Sequence, residues 1–454
     1  MFPYGRTRVI ARRKSLMAPA VSDSDLDAVS SLQVTGAGPA RGLLQVPGDK
    51  SISHRAVLMA AMAHGPTVIT GLSMGQDVTH TLGGVQQFGV SVTSTDDGRV
   101  RVEGPIRHEP ADILDHGNAG TGIRLTAGVC AGIDGVSVLT GDRFLRRRPM
   151  DRIAEPLRTM GARVDGRERG RLAPLVIRGG RLTGITYSPK QASAQVKSAL
   201  LLAGLSAAGP TTVEEVHPTR RHTEEMLTQF GGRVRVEGNR VTVEPGDLTG
   251  TQVVVPGDPS QAAFWAVAAL LAPEHGEVVV ENLYTGFGRS DFVNVLERMG
   301  ADIDFDLTTG TLTVKASRLR AVDLTAEDIP GIVDEVPALA MAAAVAEGTT
   351  VISGAGELRA KESDRIASTA RLLRAFGVQV SETEDGMVIE GGSRLRAGRV
   401  DSHGDHRIAM TAAVAAACVE GTTVIDGWES VATSYPGFAA DLVRLTGASA
   451  QPGA

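Results

Sequence analysis

Aromatic residues and cysteine are scarce in this chain of 454 residues: Phe, Trp and Tyr together make up 4%, and there are two cysteines. A core with so few rings must be built from small and aliphatic side chains, and 54 glycines and recurrent alanine runs imply close approach of backbones. Cys130 in "AGVCAG" and Cys418 in "AAACVE" have no CxxC neighbour and no histidine at ligand spacing. They read as small buried hydrophobes of a reducing compartment, the cytoplasm, and not as disulfide or metal sites. No apolar run approaches the roughly 18 residues that span a bilayer, so no membrane segment is expected. Positive charge is also short. The 46 Lys and Arg against 52 Asp and Glu leave a net charge of −6, the wrong sign for general nucleic-acid binding. Any anion site must then be a local cluster of cations.

What is present is an ordinary globular composition, 42% hydrophobic and 22% charged, on a chain long enough for two or three domains. The head "MFPYGRTRVIARRKSLMAPA" is Arg-rich but has no signal-peptide apolar region and soon runs into "SDSDLD". Residues 1–30 are therefore expected to form a disordered tail.

One unit recurs along the rest of the chain: a polar opening, an Ala/Leu-rich helix, a Gly-bounded β-branched strand, an amphipathic helix, then Gly-x-x-Val. Its six copies open at Lys50, Asn118, Ser193, Asp258, Asp334 and Asp405. The first helix of each copy is apolar on nearly every face, as in "PALAMAAAVAEG", which suits a helix buried inside a bundle. Runs such as "TTVI" suit strands. "VPGD" occurs at Val46 and again at Val255, with three copies between these points and three after the second. Two domains of three repeats follow, one over 46–254 and the other over 31–45 and 255–454, joined by two crossings.

The openings concentrate the charge: "DKSISHR", "GNAGTGIR", "SAQVK", "DPSQ", "VDEV" and "GDHR". Helix N-termini carry unpaired N–H groups and the positive end of the macrodipole, so they attract anions. Ser51 and Arg55, Thr121 and Arg124, Ser193 and Lys197, and Lys361 and Arg365 stand three or four apart and share a helix face. Each pair reads as a fixed donor set, and Lys50, Ser51 and Arg55 as one anion pocket. Taken singly, Ser51 reads equally as an N-cap. Among the carboxylates, Asp334 and Glu335 open an apolar helix, where an acid needs a partner, and Glu362 follows Lys361 in "LRAKESDRI". An acid among cations keeps its charge, and one in a closed apolar site can hold a proton, so this set could supply a base and an acid. Alone, Asp334 also reads as an N-cap and Glu362 as an i,i+3 ion pair. "HGDHR" around His403, His406 and Arg407 lacks a third ligand at helical spacing and is not read as a metal site. In "FLRRRPMDRI", at a strand-to-helix turn, one of Arg146 to Arg148 is expected to enter the cleft.

"PGDKSISHR", "GNAGTGIRL", "RRRPMDRI", "SAQVKSALLLAG", "VDEVPALAMAAA", "ELRAKESDRI" and "GDHRIAM" together resemble, in order and over about Val46 to Leu445, the motifs of 5-enolpyruvylshikimate-3-phosphate synthases. That resemblance implies an α/β fold, a two-domain inverted α/β barrel of six βαβαββ-type repeats. It also implies transfer of the enolpyruvyl group of phosphoenolpyruvate to the 5-hydroxyl of shikimate 3-phosphate, without metal or other cofactor, by a monomer that closes over its substrates. By the resemblance, Lys50, Asp334 and Glu362 are catalytic. Lys50, Ser51, Arg55, Ser193, Ala194, Gln195, Arg220, Asp334 and Lys361 hold shikimate 3-phosphate. Lys50, Asn118, Gly120, Arg148, Gln195, Glu362, Arg365 and Arg407 line the phosphoenolpyruvate pocket, with Lys361 near it, and glyphosate competes there.

Some positions depart from the commoner family pattern: Thr433 stands where many members have Lys, Glu357 replaces an Asn, and Ala194 a Ser. "SAQVKS" and "RRHTEE" resemble the glyphosate-tolerant second subgroup, whereas Gly120 is typical of the sensitive form. The sister transferases acting on a UDP-amino sugar generally place a reactive Cys near the segment "GDRFLRRRP", where this chain has none, although Asp142 stands nearby as in a minority of them. A non-catalytic anion-binding or nucleic-acid-binding module would gain nothing from acids among the cations.

Overall fold

The structure, a computed structural model, describes residues 26–272 and 275–453. The six greasy segments form helices: α1 Lys50–Met62, α2 Gly120–Ala131, α3 Ala194–Gly204, α4 Pro259–Leu270, α5 Val336–Val345 and α6 His406–Ala417. Every residue of α4 and α6 is buried, as expected of helices with no polar face. Small residues let them approach: a Cβ added at Gly128 in α2 would lie 2.2 Å from the Ala199 carbonyl of α3.

Among the described residues, six sheets of three or four strands surround these helices with a recurring topology, and a two-stranded sheet pairs Leu182–Thr183 with Ala207–Ala208. In the second repeat Leu114–Asp115 runs parallel to Gly135–Thr140, which pairs antiparallel with Leu172–Gly179, and Arg163–Arg167 closes the sheet. With α2 and the outer helix Asp151–Thr159 between the strands, the repeat reads βαβαββ. The first and fourth repeats borrow their parallel strand from the chain just ahead of the other "VPGD". Gln252–Val254 lies beside Gly65–Thr70, and Arg41–Leu44 beside Glu277–Val280. In the sixth, Ser31–Thr35 sits between Thr422–Asp426 and Ser449–Pro452, antiparallel to both. The fifth keeps three strands, its parallel edge reduced to a bridge from Leu324 to Ile352.

Buried side chains form two cores. One runs from Ile52 to Val255 in sequence, and the other combines Leu26–Val46 with Ala262–Ala448. Both tryptophans lie in the second, Trp265 stacked on Phe438 at 4.8 Å and Trp428 tilted against the same ring. The expected tail over residues 1–30 lies largely outside the described residues. Its last part, however, packs: Leu26 is buried and Asp27 accepts from Gly437 N at 2.8 Å, so the second core starts before Ser31.

The two "VPGD" segments meet back to back. Asp49 N donates to Pro256 O at 2.7 Å, Asp258 N donates to Pro47 O at 3.0 Å, and Gly48 bridges Gly257 antiparallel. Gly48 is required there, because a Cβ would fall 1.9 Å from the Gly71 carbonyl.

Candidate active site

Each helix opening is set by a particular cap. Asp49 caps α1 by accepting from Ile52 N at 2.9 Å, so Ser51 is not the cap and its first-turn position leaves it free to face the cleft. Asp258 caps α4, and Asp405 caps α6 by accepting from Arg407 N at 3.0 Å. Helix α5 begins one residue later than an Asp334 cap would require. Glu335 is its N-cap residue, and Asp334 lies outside the helix facing the cations.

All six openings converge. A cavity of about 80 Å³ is lined by Lys50, Ser51 and Arg55 of the first repeat, Thr121 and Arg148 of the second, Ala194, Gln195 and Arg220 of the third, Asp258 and Arg289 of the fourth, Asp334, Lys361, Glu362 and Arg365 of the fifth, and His406 and Arg407 of the sixth. An adjoining pocket of about 610 Å³ shares Arg148, Ala194, Gln195, Arg220, Asp334 and Lys361 and adds Ser193. Ion pairs join the two cores across this space: Arg148 to Glu362 at 3.1 Å and Arg220 to Asp334 at 2.8 Å. Arg365 reaches Asp334 at 3.2 Å, Glu362 at 2.6 Å and Asp405 at 2.8 Å, while Arg407 donates to the Asp334 carbonyl at 2.8 Å. Lys50 pairs with Asp77 at 3.1 Å, and Lys361 stands 3.8 Å from Asp334. Glu362 therefore makes the i,i+3 pair its spacing suggests and a second pair across the cleft.

The charges shift one another. Burial alone pushes Asp334 up, but Lys361, Arg407, Arg220 and Arg365 reverse this and hold it well below the usual carboxylate range. Burial likewise opposes, and Arg148 and Arg365 override, the charge on Glu362, which also lies well below its ordinary value. Both are carboxylates at neutral pH. Burial, reinforced by Lys50 and Arg407, holds His406 well below its ordinary value and hence neutral.

Some expected donors turn elsewhere. Lys197 leaves the cleft for a buried pair of acids, Glu215 at 3.0 Å and Glu224 at 2.7 Å. Helix α3 is buried almost all round, so i,i+4 spacing from Ser193 did not fix an outward direction. Arg124 donates to Gln195 Oε1 at 2.6 Å and to Pro149 O at 3.0 Å, so it positions Gln195 and reaches the adjoining pocket but not the 80 Å³ cavity. Arg55 lines the cavity but is largely engaged, by Thr223 at 2.8 Å, Ser198 at 2.7 Å and the Ser51 carbonyl at 2.8 Å. Asn118 precedes α2 and does not line the cavity; its Oδ1 is buried with no hydrogen-bond partner. Gly120 acts by what it lacks: a Cβ there would sit 2.5 Å from Arg148 Nη1. Of Arg146 to Arg148, Arg148 is the one that enters. Thr433 donates to the Ser430 carbonyl at 2.6 Å, and Glu357 stands 3.7 Å from both Arg152 and Lys361.

Arg289 was not among the expected residues. It joins the two crossings, bonding Asp49 at 2.8 Å, Asp258, and Ser260 Oγ at 2.9 Å, with Glu335 4.0 Å away. The signal for it was the repeat register: Arg148, Arg220 and Arg289 all stand just before the outer helix of their unit. Asp77, the partner of Lys50, opens the outer helix of the first repeat and could have been found the same way.

Comparison with known proteins agrees with this architecture. The family model described as EPSP synthase (3-phosphoshikimate 1-carboxyvinyltransferase) matches residues 34–442. Proteins named 3-phosphoshikimate 1-carboxyvinyltransferase from Synechococcus sp. strain RCC307 and Geobacillus thermodenitrificans are 48% and 45% identical, over 92% and 90% of this chain and 99% and 98% of theirs. A solved EPSP synthase of Acinetobacter baumannii superposes with a TM-score of 0.80 at 40% identity, covering 93% of this chain and 99% of that one. The enolpyruvyl transferase NikO of Streptomyces tendae shares the fold, with a TM-score of 0.74 at 20% identity over 93% of this chain and 99% of that one. The chain belongs to the EPSP synthase family.

Proposed function

We propose that the converging helix openings carry out the family's reaction with a definite division of labour. The protein is an enzyme that transfers the enolpyruvyl group of phosphoenolpyruvate to the 5-hydroxyl of shikimate 3-phosphate and releases phosphate. The observation that carries the assignment of residues is a single cavity drawing on all six repeats, with Lys50, Arg55, Arg148, Arg220, Arg289, Lys361, Arg365 and Arg407 facing Asp258, Asp334 and Glu362. Two substrates bearing phosphates and carboxylates repel each other unless cations intervene, and arginine supplies planar two-pronged donors for both groups.

On this reading Ser193, Ala194, Gln195 and Arg220, with Ser51, Arg55, Lys50 and Lys361, hold shikimate 3-phosphate. Gly120, Arg148, Arg365 and Arg407, with Lys50, Gln195 and Glu362, hold phosphoenolpyruvate, and Asn118, whose buried Oδ1 is unpartnered, stands just ahead of α2 on that side. Asp334, an ionised carboxylate, takes the 5-hydroxyl proton as that oxygen attacks C2 of the enol, and C3 gains a proton from Glu362. Glu362 is held ionised by Arg148 and Arg365. Substrate anions drawing on the same guanidiniums would weaken that hold and let it take up and deliver a proton. The adduct then loses phosphate from C2 and returns a proton from C3 to the Glu362 carboxylate, restoring the enol ether. Placing both substrates in contact replaces an encounter with a near-attack arrangement, and the acid and base add about 10² to 10⁴-fold. The halves 46–254 and 31–45 with 255–454 act as two domains closing on this space.

Glyphosate competes with phosphoenolpyruvate here, with tolerance raised above that of a sensitive enzyme. The enzyme works as a monomer in the cytoplasm. A sister UDP-amino-sugar activity is disfavoured because burial pushes the thiols of Cys130 and Cys418 up to about 12, which leaves no reactive thiol at the cleft. Phosphate release by the purified protein is the test. It must require shikimate 3-phosphate and fall by at least about 100-fold in Asp334→Ala and Glu362→Gln. Release without shikimate 3-phosphate, or variants as active as the parent, would overturn the reading.

A further inference from the structure

A groove of about 760 Å³ lies on the other side of the cavity and shares Arg148, Lys361 and Glu362 with it. It runs between the 143–149 turn of one core and residues 359–371, 401–404 and 427–429 of the other. Two of its four acids are paired with arginine: Glu362 with Arg148 and Arg365, and Asp364 with Arg359 at 2.7 Å. That leaves Asp401 and exposed Glu429 with no Lys or Arg partner among the described residues. The spare cations outnumber these two acids. The Arg147 side chain has no partner among the described residues, Arg143 only covers the Phe144 ring at 4.7 Å, and Arg371 makes a single bond, to Ser368 Oγ at 3.2 Å. In the wall between groove and cavity Arg148 is 7% exposed and keeps a buried Nε with no acceptor.

The chemistry gives these spare donors an occupant. Elimination forms inorganic phosphate among several inward cations, and a doubly charged anion held there departs slowly unless neighbouring donors take it over stepwise. The pocket that holds Ser193 and Arg220 is on the shikimate side, whereas the groove opens beside Arg148 and Glu362, where phosphoenolpyruvate reacts. We propose that the groove is an outer binding site for a phosphoryl dianion, exchanging with the inner site across Arg148. Its occupant is either phosphate on its way out or phosphoenolpyruvate on its way in. A field focused by low-dielectric walls concentrates such an anion at the mouth. The inference rests on the function proposed above.

Arg147→Gln/Arg371→Gln tests it with residues outside the catalytic set, and Arg235→Gln/Arg394→Gln, at residues 68% and 89% exposed elsewhere, controls for the loss of two charges. Titration of the resting protein with inorganic phosphate, followed by phosphorus NMR, should lose one bound equivalent in the double variant and none in the control. In steady state the inhibition constant for phosphate, the KM for phosphoenolpyruvate, or both should rise on the order of 10-fold, with the KM for shikimate 3-phosphate unchanged. A rise in the first alone identifies the outgoing anion, and in the second alone the incoming one. Unchanged titration and constants, or equal shifts in the control, would sink the proposal. Failure of the parent to release phosphate would instead strike the functional reading, because the titration needs no turnover.

Discussion

Replacing Arg289 by Met should destabilise the protein more than any surface substitution while leaving the volume nearly filled. The guanidinium is 2% exposed and serves Asp49, Asp258 and Glu335, themselves 0%, 3% and 1% exposed. After the change Glu335 keeps Arg407 at 3.9 Å, but Asp49 and Asp258 keep only backbone donors. Removing one partner of a buried pair costs about 3–5 kcal/mol, a large share of the 5–15 kcal/mol typical of native proteins. The pH dependence identifies the cause. In the parent, burial raises Asp49 but Arg289 more than reverses this, so it lies below the usual carboxylate range; Asp258 is raised by burial and by Asp49. Without Arg289 both carboxyls move up, the folded state binds more protons than the unfolded one, and stability rises as pH falls. Urea unfolding followed by circular dichroism should show a deficit that narrows from pH 7.5 to 5.5, and Asp258→Asn in the same background should restore part of it. A deficit under about 1 kcal/mol, or one independent of pH, would refute a role for uncompensated charge.

Gly120→Ala should push Arg148 from its seat, raising KM for phosphoenolpyruvate on the order of 10-fold and weakening glyphosate further, with shikimate 3-phosphate binding unaffected; substrate-specific kinetics decide this. Lys197→Met leaves Glu215 and Glu224 facing each other in the core and should cost about 3–5 kcal/mol. It should also raise KM for shikimate 3-phosphate, because Glu215 accepts from Thr219 N at 3.1 Å at the base of the Arg220 loop; Glu224→Gln beside it should recover stability. Because Asp334 and Glu362 are both depressed by their cations, the stability they contribute is complete above about pH 4.5 and is lost as pH falls through their lower folded values. Glu362→Gln should therefore lose less stability than the parent between pH 5 and 3 in thermal melts.

The repeats could be read from sequence because alanine-rich helices with no polar face leave little doubt about burial, and Lys50, Arg148, Asp334, Glu362 and Arg407 do line one cavity. What spacing could not supply was direction. Ser193 and Lys197 share a face in projection, yet α3 is buried all round from Val196 onward and the ammonium found Glu215 and Glu224 instead of the cleft. Caps were misplaced for a related reason. Ser51 and Asp49 are both good capping residues, and only the actual turn of the chain at Gly48 decides that Asp49 accepts from Ile52 N. Arg289 stands alone in "GFGRSD", and its three acids come from segments near residues 49, 258 and 335 that only the crossings bring together.

The pairing of the first described strand with the last sets an order for synthesis. Ser31–Thr35 leaves the ribosome before its neighbours, with 387 positions separating Thr422 from Thr35 and Ser449–Pro452 later still. At 5–20 residues per second the early strand waits roughly 20–80 s with its edges bare. The N-terminal half of the chain can meanwhile complete its own three units. A nascent protein of this design is therefore most open to wrong pairing or chaperone capture at this strand, and deleting Ser31–Thr35 should harm the second core, most of which is made later.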